Sequence, residues 1–264
     1  MILSTKPAKQ IIPIPALKDN YIWMLSDPTN KNVWIVDPGE ARPVINVLKS
    51  QQLTLAGILI THHHADHTGG IAGLLHYAGD LPVVGSHLSS IKYINQPVKE
   101  QDDIVCGNFK FKALEIPGHT LDHIAYYDDA ALFCGDTLFS AGCGKIFEGT
   151  PCMMYQSLSK LAQLNESTRI YCGHEYTLQN LAFAQTVEPH NQAIKEKIAL
   201  VKNLRETNQC TLPAVLQEEK NINPFLRCHV SDVRQAVEER VGMGKKLEDP
   251  VEVLHALREW KNSF

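Results

Sequence analysis

The chain has 264 residues, 44% of them hydrophobic, enough for one large core or two unequal domains. Charged residues make up 20% and the formal net charge is -4, which draws the chain to neither nucleic acid nor an anionic membrane surface. Met1–Pro7 lacks an apolar leader core, Pro13 and Pro15 interrupt the next apolar stretch, and no run approaches a membrane span. The seven cysteines are odd in number with no Cys-x-x-Cys pair, which fits reduced thiols in a cytoplasmic protein better than disulfides or a Zn-Cys site.

In chain order, Ile11–Leu25 reads as one or two strands with a turn at Lys18-Asp19-Asn20. Asn32–Val36 is a strand stopped by Asp37-Pro38-Gly39, and Pro43–Lys49 a helix. The apolar run Leu55–Ile60 has the length of a buried strand, and a helix begins within Gly69–Tyr77. Short strands follow at Val83–Gly85, Phe109–Ile116, Ile124–Tyr127, Ala131–Cys134 and Arg169–Cys172, with a helix at Tyr155–Leu164. From about Tyr176 the pattern turns helical: Leu178–Val187, Ala193–Leu204, Ser231–Arg240 and Val251–Trp260, with turns at Glu188–Asn191 and Asn221–Pro224. These elements predict a layered α/β or α+β body over residues 1–175 and a smaller helical domain over 176–264.

Candidate metal ligands sit just past four predicted strands. His62, His64, Asp66 and His67 follow the first, His119 the second, Asp136 the third and His174 the fourth. Glycine directly precedes His119, Asp136 and His174, as tight turns at strand ends require. Five His and two Asp exceed the needs of one tetrahedral zinc and suit two cations about 3.5–4 Å apart. On this reading His62, His64 and His119 serve one cation, Asp66, His67 and His174 the other, and Asp136 bridges them. His63 points away, and His123 is structural. Asp37 either supports the site from behind or simply forms a turn.

The segment His62-His63-His64-Ala65-Asp66-His67 resembles the His-x-His-x-Asp-His signature of the metallo-β-lactamase superfamily. Gly135–Phe139, Gly142–Lys145, Phe147–Thr150 and Tyr171–Thr177 narrow the resemblance to the glyoxalase II, or hydroxyacylglutathione hydrolase, branch. It runs nearly end to end, through Asn223-Pro224-Phe225-Leu226-Arg227 to Arg258 and Lys261. The resemblance implies an αββα metallo-β-lactamase sandwich followed by a small all-helical domain. It implies the same division of ligands between the two ions, Zn2+ first, with Fe or Mn as alternatives. It also implies glutathione contacts at Lys145, Tyr176, Arg258 and Lys261. Phe147 stands where that branch often has Tyr, which removes a hydroxyl from the substrate wall.

The implied reaction is hydrolysis of S-(R)-lactoylglutathione to glutathione and D-lactate, a step of methylglyoxal degradation. A water between two cations would attack the thioester carbonyl, with Asp136 and Asp66 as the catalytic carboxylates. Thiolate is a good leaving group, so little acid assistance is needed. A small-molecule thioester is the expected partner of a monomer that binds neither nucleic acid nor membrane. Three other readings fit the same residues: another hydrolase of the fold such as a lactonase or β-lactamase, a mononuclear-iron glutathione persulfide dioxygenase, and a non-catalytic metal-binding module.

Overall fold

The computed structural model describes residues 9–242, 244 and 246–264, so Met1–Pro7, read above for a leader, lie outside the described residues. The chain forms two compact units. The first holds the described residues up to Glu115 with Ile124–Asp128, and the second holds Ile116–His123 with Asp129–Phe264.

The first unit opens with strands β1 (Gln10–Ala16), β2 (Asn20–Ser26) and β3 (Asn32–Val36), then helix α1 (Ala41–Gln51) and strand β4 (Thr54–Leu59). A short helix α2 (Ala65–Thr68), helix α3 (Ile71–Ala78) and strands β5 (Val83–Ser86) and β6 (Gln96–Val98) follow. The six strands pair in chain order, β1 to β3 antiparallel and β3 to β6 parallel. The three parallel pairs need crossovers: α1 and the α2–α3 segment supply the first two, and residues 87–95, without a helix, the third. Val44 and Leu48 of α1 and Ile71 and Leu74 of α3 bury against Ile22, Met24, Ile35 and Ile58 of the sheet. β2 is buried along its whole length, which explains its unbroken apolar run. Strands β7 (Asp103–Cys106), β8 (Phe109–Glu115) and β9 (Ile124–Tyr127) form an antiparallel ladder. Along β8, Phe109, Phe111 and Ala113 are buried while Lys110 and Lys112 are exposed, the alternation of a half-covered strand.

The second unit carries β10 (Ala131–Gly135), the hairpin β11 (Leu138–Phe139) and β12 (Gly142–Cys143), helix α4 (Pro151–Ala162) and β13 (Arg169–Cys172). β10 and β13 are parallel, so both end at one edge, where Gly173 N–H donates to Gly135 O at 3.0 Å. Helices α5 (Thr177–Val187) and α6 (Gln192–Glu206), strand β14 (Ala214–Val215), helices α7 (Leu216–Ile222), α8 (Ser231–Val241) and α9 (Pro250–Asn262) complete it. A second core joins Leu181 and Ala184 of α5, Ile194 and Val201 of α6, Ile222 of α7 and Ala141 of the hairpin. The long expected elements are all present. Beyond them stand α2, β6, β7, β11, β12, β14 and α7; three of these strands are two residues long, α2 has four residues and α7 seven, too short for a periodic signal. The turn expected at Asn221–Pro224 instead spans the end of α7 and the start of a 3-10 turn at Pro224–Leu226. All seven cysteines are free thiols. No described helix is long and apolar enough to cross a membrane.

Candidate metal centre

In the first unit the site grows from two neighbouring parallel strand ends. β3 ends at Val36 and β4 at Leu59, and Asp37 N–H donates to Leu59 O at 2.9 Å. Asp37 then turns the chain at φ +52°, a conformation Asp tolerates better than most residues. Its carboxylate serves three groups at once. Oδ1 accepts from Thr61 N–H at 2.8 Å, Oδ2 accepts from Thr61 Oγ1 at 2.6 Å, and Oδ2 lies 3.1 Å from His67 Nδ1. Thr61 Oγ1 in turn lies 3.0 Å from His62 Nδ1. One buried network thus grips the Nδ1 side of both His62 and His67, and Nε2 of each ring is the nitrogen offered to a metal. The sequence left Asp37 between two roles; the geometry makes it the support.

Helix α2 is a single turn, and it brings Asp66 and His67 under His62. The His62 and His67 rings lie 4.2 Å apart and the His62 and His64 rings 4.7 Å apart. Asp66 Oδ2 is 3.4 Å from His67 Nε2 and accepts from Asn20 Nδ2 at 3.0 Å. The four expected ligands of this loop therefore converge, with His62 and His67 buried and His64 and Asp66 half-buried.

In the second unit the donors come from separate segments. Gly135 at φ +45° makes the turn that presents Asp136 beyond β10. Asp136 Oδ2 lies 3.2 Å from His174 Nε2 and 3.6 Å from His119 Nε2, so one carboxylate oxygen faces two imidazoles. Asp136 N–H donates to His123 Nε2 at 3.2 Å, which makes His123 a backbone support, in keeping with its structural reading. His119 Nδ1 is 2.7 Å from Lys145 O. Gly144 is required beside it: a Cβ there would stand 1.9 Å from Asp136 O. Two imidazoles and the carboxylate they share are a donor set that fits borderline divalent cations such as Zn2+, Fe2+ or Mn2+.

The expected substrate contacts all lie in this second unit. Tyr176 stacks on His174 at 4.7 Å with a 4° interplanar angle. Phe147, 63% exposed, sets its ring edge-on to His119 at 5.3 Å. Lys145 is exposed. Arg258 is buried, with Nη1 donating to Cys143 O at 2.7 Å and its guanidinium over the Phe225 ring. Lys261 lies one helical turn on and donates to Gln179 O at 3.3 Å; burial, and then the charge of Arg258, bring its ammonium down to about 8. Burial pushes the Cys143 thiol up, and the Cys172 thiol well up, so neither is a nucleophile near neutral pH. Sequence reasoning missed Thr61, whose only signal was adjacency to the histidine run.

Comparison with known proteins identifies the family. Residues 19–174 match the model of the metallo-beta-lactamase superfamily, and residues 175–264 match that of the hydroxyacylglutathione hydrolase C-terminus. The hydroxyacylglutathione hydrolase of Vibrio parahaemolyticus is 48% identical over 97% of this chain and 99% of its own length. That of Hahella chejuensis is 49% identical with the same coverage of each chain. The chain belongs to the hydroxyacylglutathione hydrolase family. Among solved structures, ETHE1 from Myxococcus xanthus superposes with a TM-score of 0.64 at 23% identity, covering 95% of this chain and 99% of that one. At that identity the likeness is one of fold. The expected fold, a metallo-β-lactamase domain followed by a helical C-terminal region, is thereby established for this member of the hydroxyacylglutathione hydrolase family.

Proposed function

We propose that this chain hydrolyses S-(2-hydroxyacyl)glutathione thioesters, chiefly S-(R)-lactoylglutathione to glutathione and D-lactate. The observation that carries the reading is near-full-length identity to hydroxyacylglutathione hydrolases, joined to a carboxylate, Asp136, that faces both His119 and His174. We assign His62, His64, His119 and Asp136 to one divalent ion and Asp66, His67, Asp136 and His174 to the other. Zn2+ is our first assignment, with Fe or Mn accepted by the same donors. We also assign residues 1–175 to catalysis and 176–264 to substrate binding, in a cytoplasmic monomer.

Bound divalent ions supply Lewis acidity and make water nucleophilic near neutral pH. The rest falls to the residues. Asp37 and Thr61 fix the ring orientations of His67 and His62, and Lys145 O fixes His119. Asp136 holds the two ligand sets at one spacing, and Asp66, the second catalytic carboxylate, completes the set around His67. Lys145, Arg258 and Lys261 carry the positive charge that the two carboxylates of glutathione require. Tyr176 reaches the peptide with its hydroxyl, while Phe147 contributes only apolar contact. Water oxygen bonds to the thioester carbon and gives up its protons to solvent, the C–S bond breaks, and sulfur leaves with the electron pair as thiolate, to be protonated from solvent. That leaving group needs no strong acid.

The persulfide dioxygenase and lactonase alternatives are not favoured, because the hydrolase relatives span both parts of the chain. The test is thioester cleavage by the purified protein with S-(R)-lactoylglutathione, alongside elemental analysis of the same sample. Cleavage with about two metal ions per chain is the expected result. A fully metal-loaded sample that leaves the thioester intact overturns the reading.

A further inference from the structure

A buried acid remains that no step above uses. Glu219 of α7 is 0% exposed, yet none of its hydrogen-bond partners among the described residues is a charged side chain. Its Oε1 accepts from Ser140 Oγ at 2.8 Å, and its Oε2 accepts from Ala141 N–H at 2.7 Å and from Asn223 Nδ2 at 3.1 Å. Its side-chain hydrogen bonds outside α7 and Asn223 fall on the turn between β11 and β12. Ala141 in that turn stands at φ +53°, a left-handed conformation unfavourable for a residue with a Cβ. Asn223 Nδ2 also reaches Phe139 O at 3.1 Å and Gly142 O at 3.0 Å, and Asn180 Nδ2 donates to Ser140 O at 3.0 Å.

The same hairpin leads directly into the substrate wall. Cys143 O receives the guanidinium of Arg258, and two residues on, Lys145 O holds His119 Nδ1. Gly144 between them donates to Thr137 O at 3.2 Å, next to Asp136. Displacing the turn therefore displaces both carbonyls.

We propose that Glu219 is a positioning residue for substrate binding: it clamps the Leu138–Cys143 hairpin and so sets Arg258, Lys145 and His119 in register for the glutathione thioester. The inference rests on the function proposed above. Burial pushes the Glu219 carboxyl up to about 7, so both of its protonation states occur near neutrality, and both serve the clamp. As carboxylate it accepts from all three donors; when protonated, its O–H turns to Ser140 Oγ, which can accept. A glutamine can do the same, with its NH2 toward Ser140 and its oxygen toward Ala141 and Asn223. A methionine fills the space and leaves Ala141 N–H with nothing in place of the carboxylate.

The experiment measures KM, kcat and Tm for the metal-loaded protein and two variants with S-(R)-lactoylglutathione. Glu219→Met is expected to raise KM about tenfold, more than it lowers kcat, as expected for lost registry of one buried polar clamp. Glu219→Gln is expected to stay close to wild type in KM. Leu48→Ala, in the core of the first unit and outside the cluster that holds Ala141, is the control that lowers Tm without moving KM. If Glu219→Met lowers Tm like the control and leaves KM unchanged, Glu219 is only structural and the proposal fails. If Glu219→Met does not fold, Ser140→Ala removes a single anchor and reads the same quantity: a raised KM supports the clamp and an unchanged KM overturns it. A wild-type protein that leaves the thioester intact defeats the proposed function instead, and the two failures are thus separate.

Discussion

The histidines of the two units are held by different means. In the first unit a side chain does the holding: Asp37 reaches Thr61 and His67, and Thr61 reaches His62. In the second unit a backbone carbonyl takes that part for one histidine: Lys145 O lies 2.7 Å from His119 Nδ1, while the His123 side chain accepts from the Asp136 amide. A side-chain anchor can be removed by one substitution at the anchor. A carbonyl anchor can be disturbed only through whatever supports its segment, which is why a remote residue such as Glu219 gains leverage over the second set.

The sharpest test of this contrast is at the carboxylate that faces two imidazoles. Asp136→Ala is expected to abolish turnover and lower metal content, because one substitution takes a donor from both proposed ions. Full thioester cleavage by that variant would remove the dinuclear scheme. Next comes the anchor of the first unit. Asp37→Asn keeps a residue that tolerates positive φ but turns an all-acceptor carboxylate into a group that is half donor. Metal affinity or kcat/KM should drop by about 10–100-fold, the usual cost of losing a support behind a ligating histidine. Metal titration of the variant with unchanged affinity and unchanged kcat/KM would return Asp37 to a plain turn residue.

Lys145 and Arg258 divide exposed from buried charge on the proposed substrate wall. Lys145→Ala should raise KM with no change in Tm, since the side chain is exposed and the His119 contact uses the backbone. Arg258→Ala should raise KM as well, and also cost about 1–3 kcal/mol of stability through the lost Cys143 O contact. Thermal melts beside the kinetics separate the two; equal Tm loss in both would contradict the exposure difference.

What the sequence showed and what it hid follow the same contrast. The run His62–His67 is contiguous, so its chemistry was visible as residue types packed at the end of one apolar strand. His119, Asp136 and His174 were recoverable because each follows a glycine at a strand end, a local signal. Arg258 and Lys261 had no such signal and would have read as surface charge without the family resemblance; in the fold Arg258 is buried beneath the Leu138–Cys143 hairpin. That hairpin was itself invisible, since two-residue strands have no measurable period and its register is set by Glu219 and Asn223 some 80 residues later. Long-range polar clamps of this sort leave no periodic trace, whereas strands such as β2 announce themselves through burial on both faces.

The mildest expected effect concerns Lys261, and it turns on pH. Burial and the neighbouring Arg258 charge disfavour its ammonium form, so the side chain loses its proton near pH 8 in the free protein. The protonated form is the one that attracts a glutathione carboxylate, so its contribution is complete below that pH and fades above it. KM for S-(R)-lactoylglutathione should therefore rise as pH passes from 7 to 9, by a factor of about 5–10 if the lysine supplies one charge-assisted hydrogen bond. Lys261→Arg provides the control, because guanidinium stays charged throughout this range. The arginine also fits the setting, where Phe183 and Phe264 already present their rings to the cation at 5.1 and 5.3 Å. In the arginine variant the rise in KM should disappear while kcat keeps its own pH dependence. A KM profile that climbs identically in both proteins would assign the titration to another group and leave Lys261 outside the substrate wall.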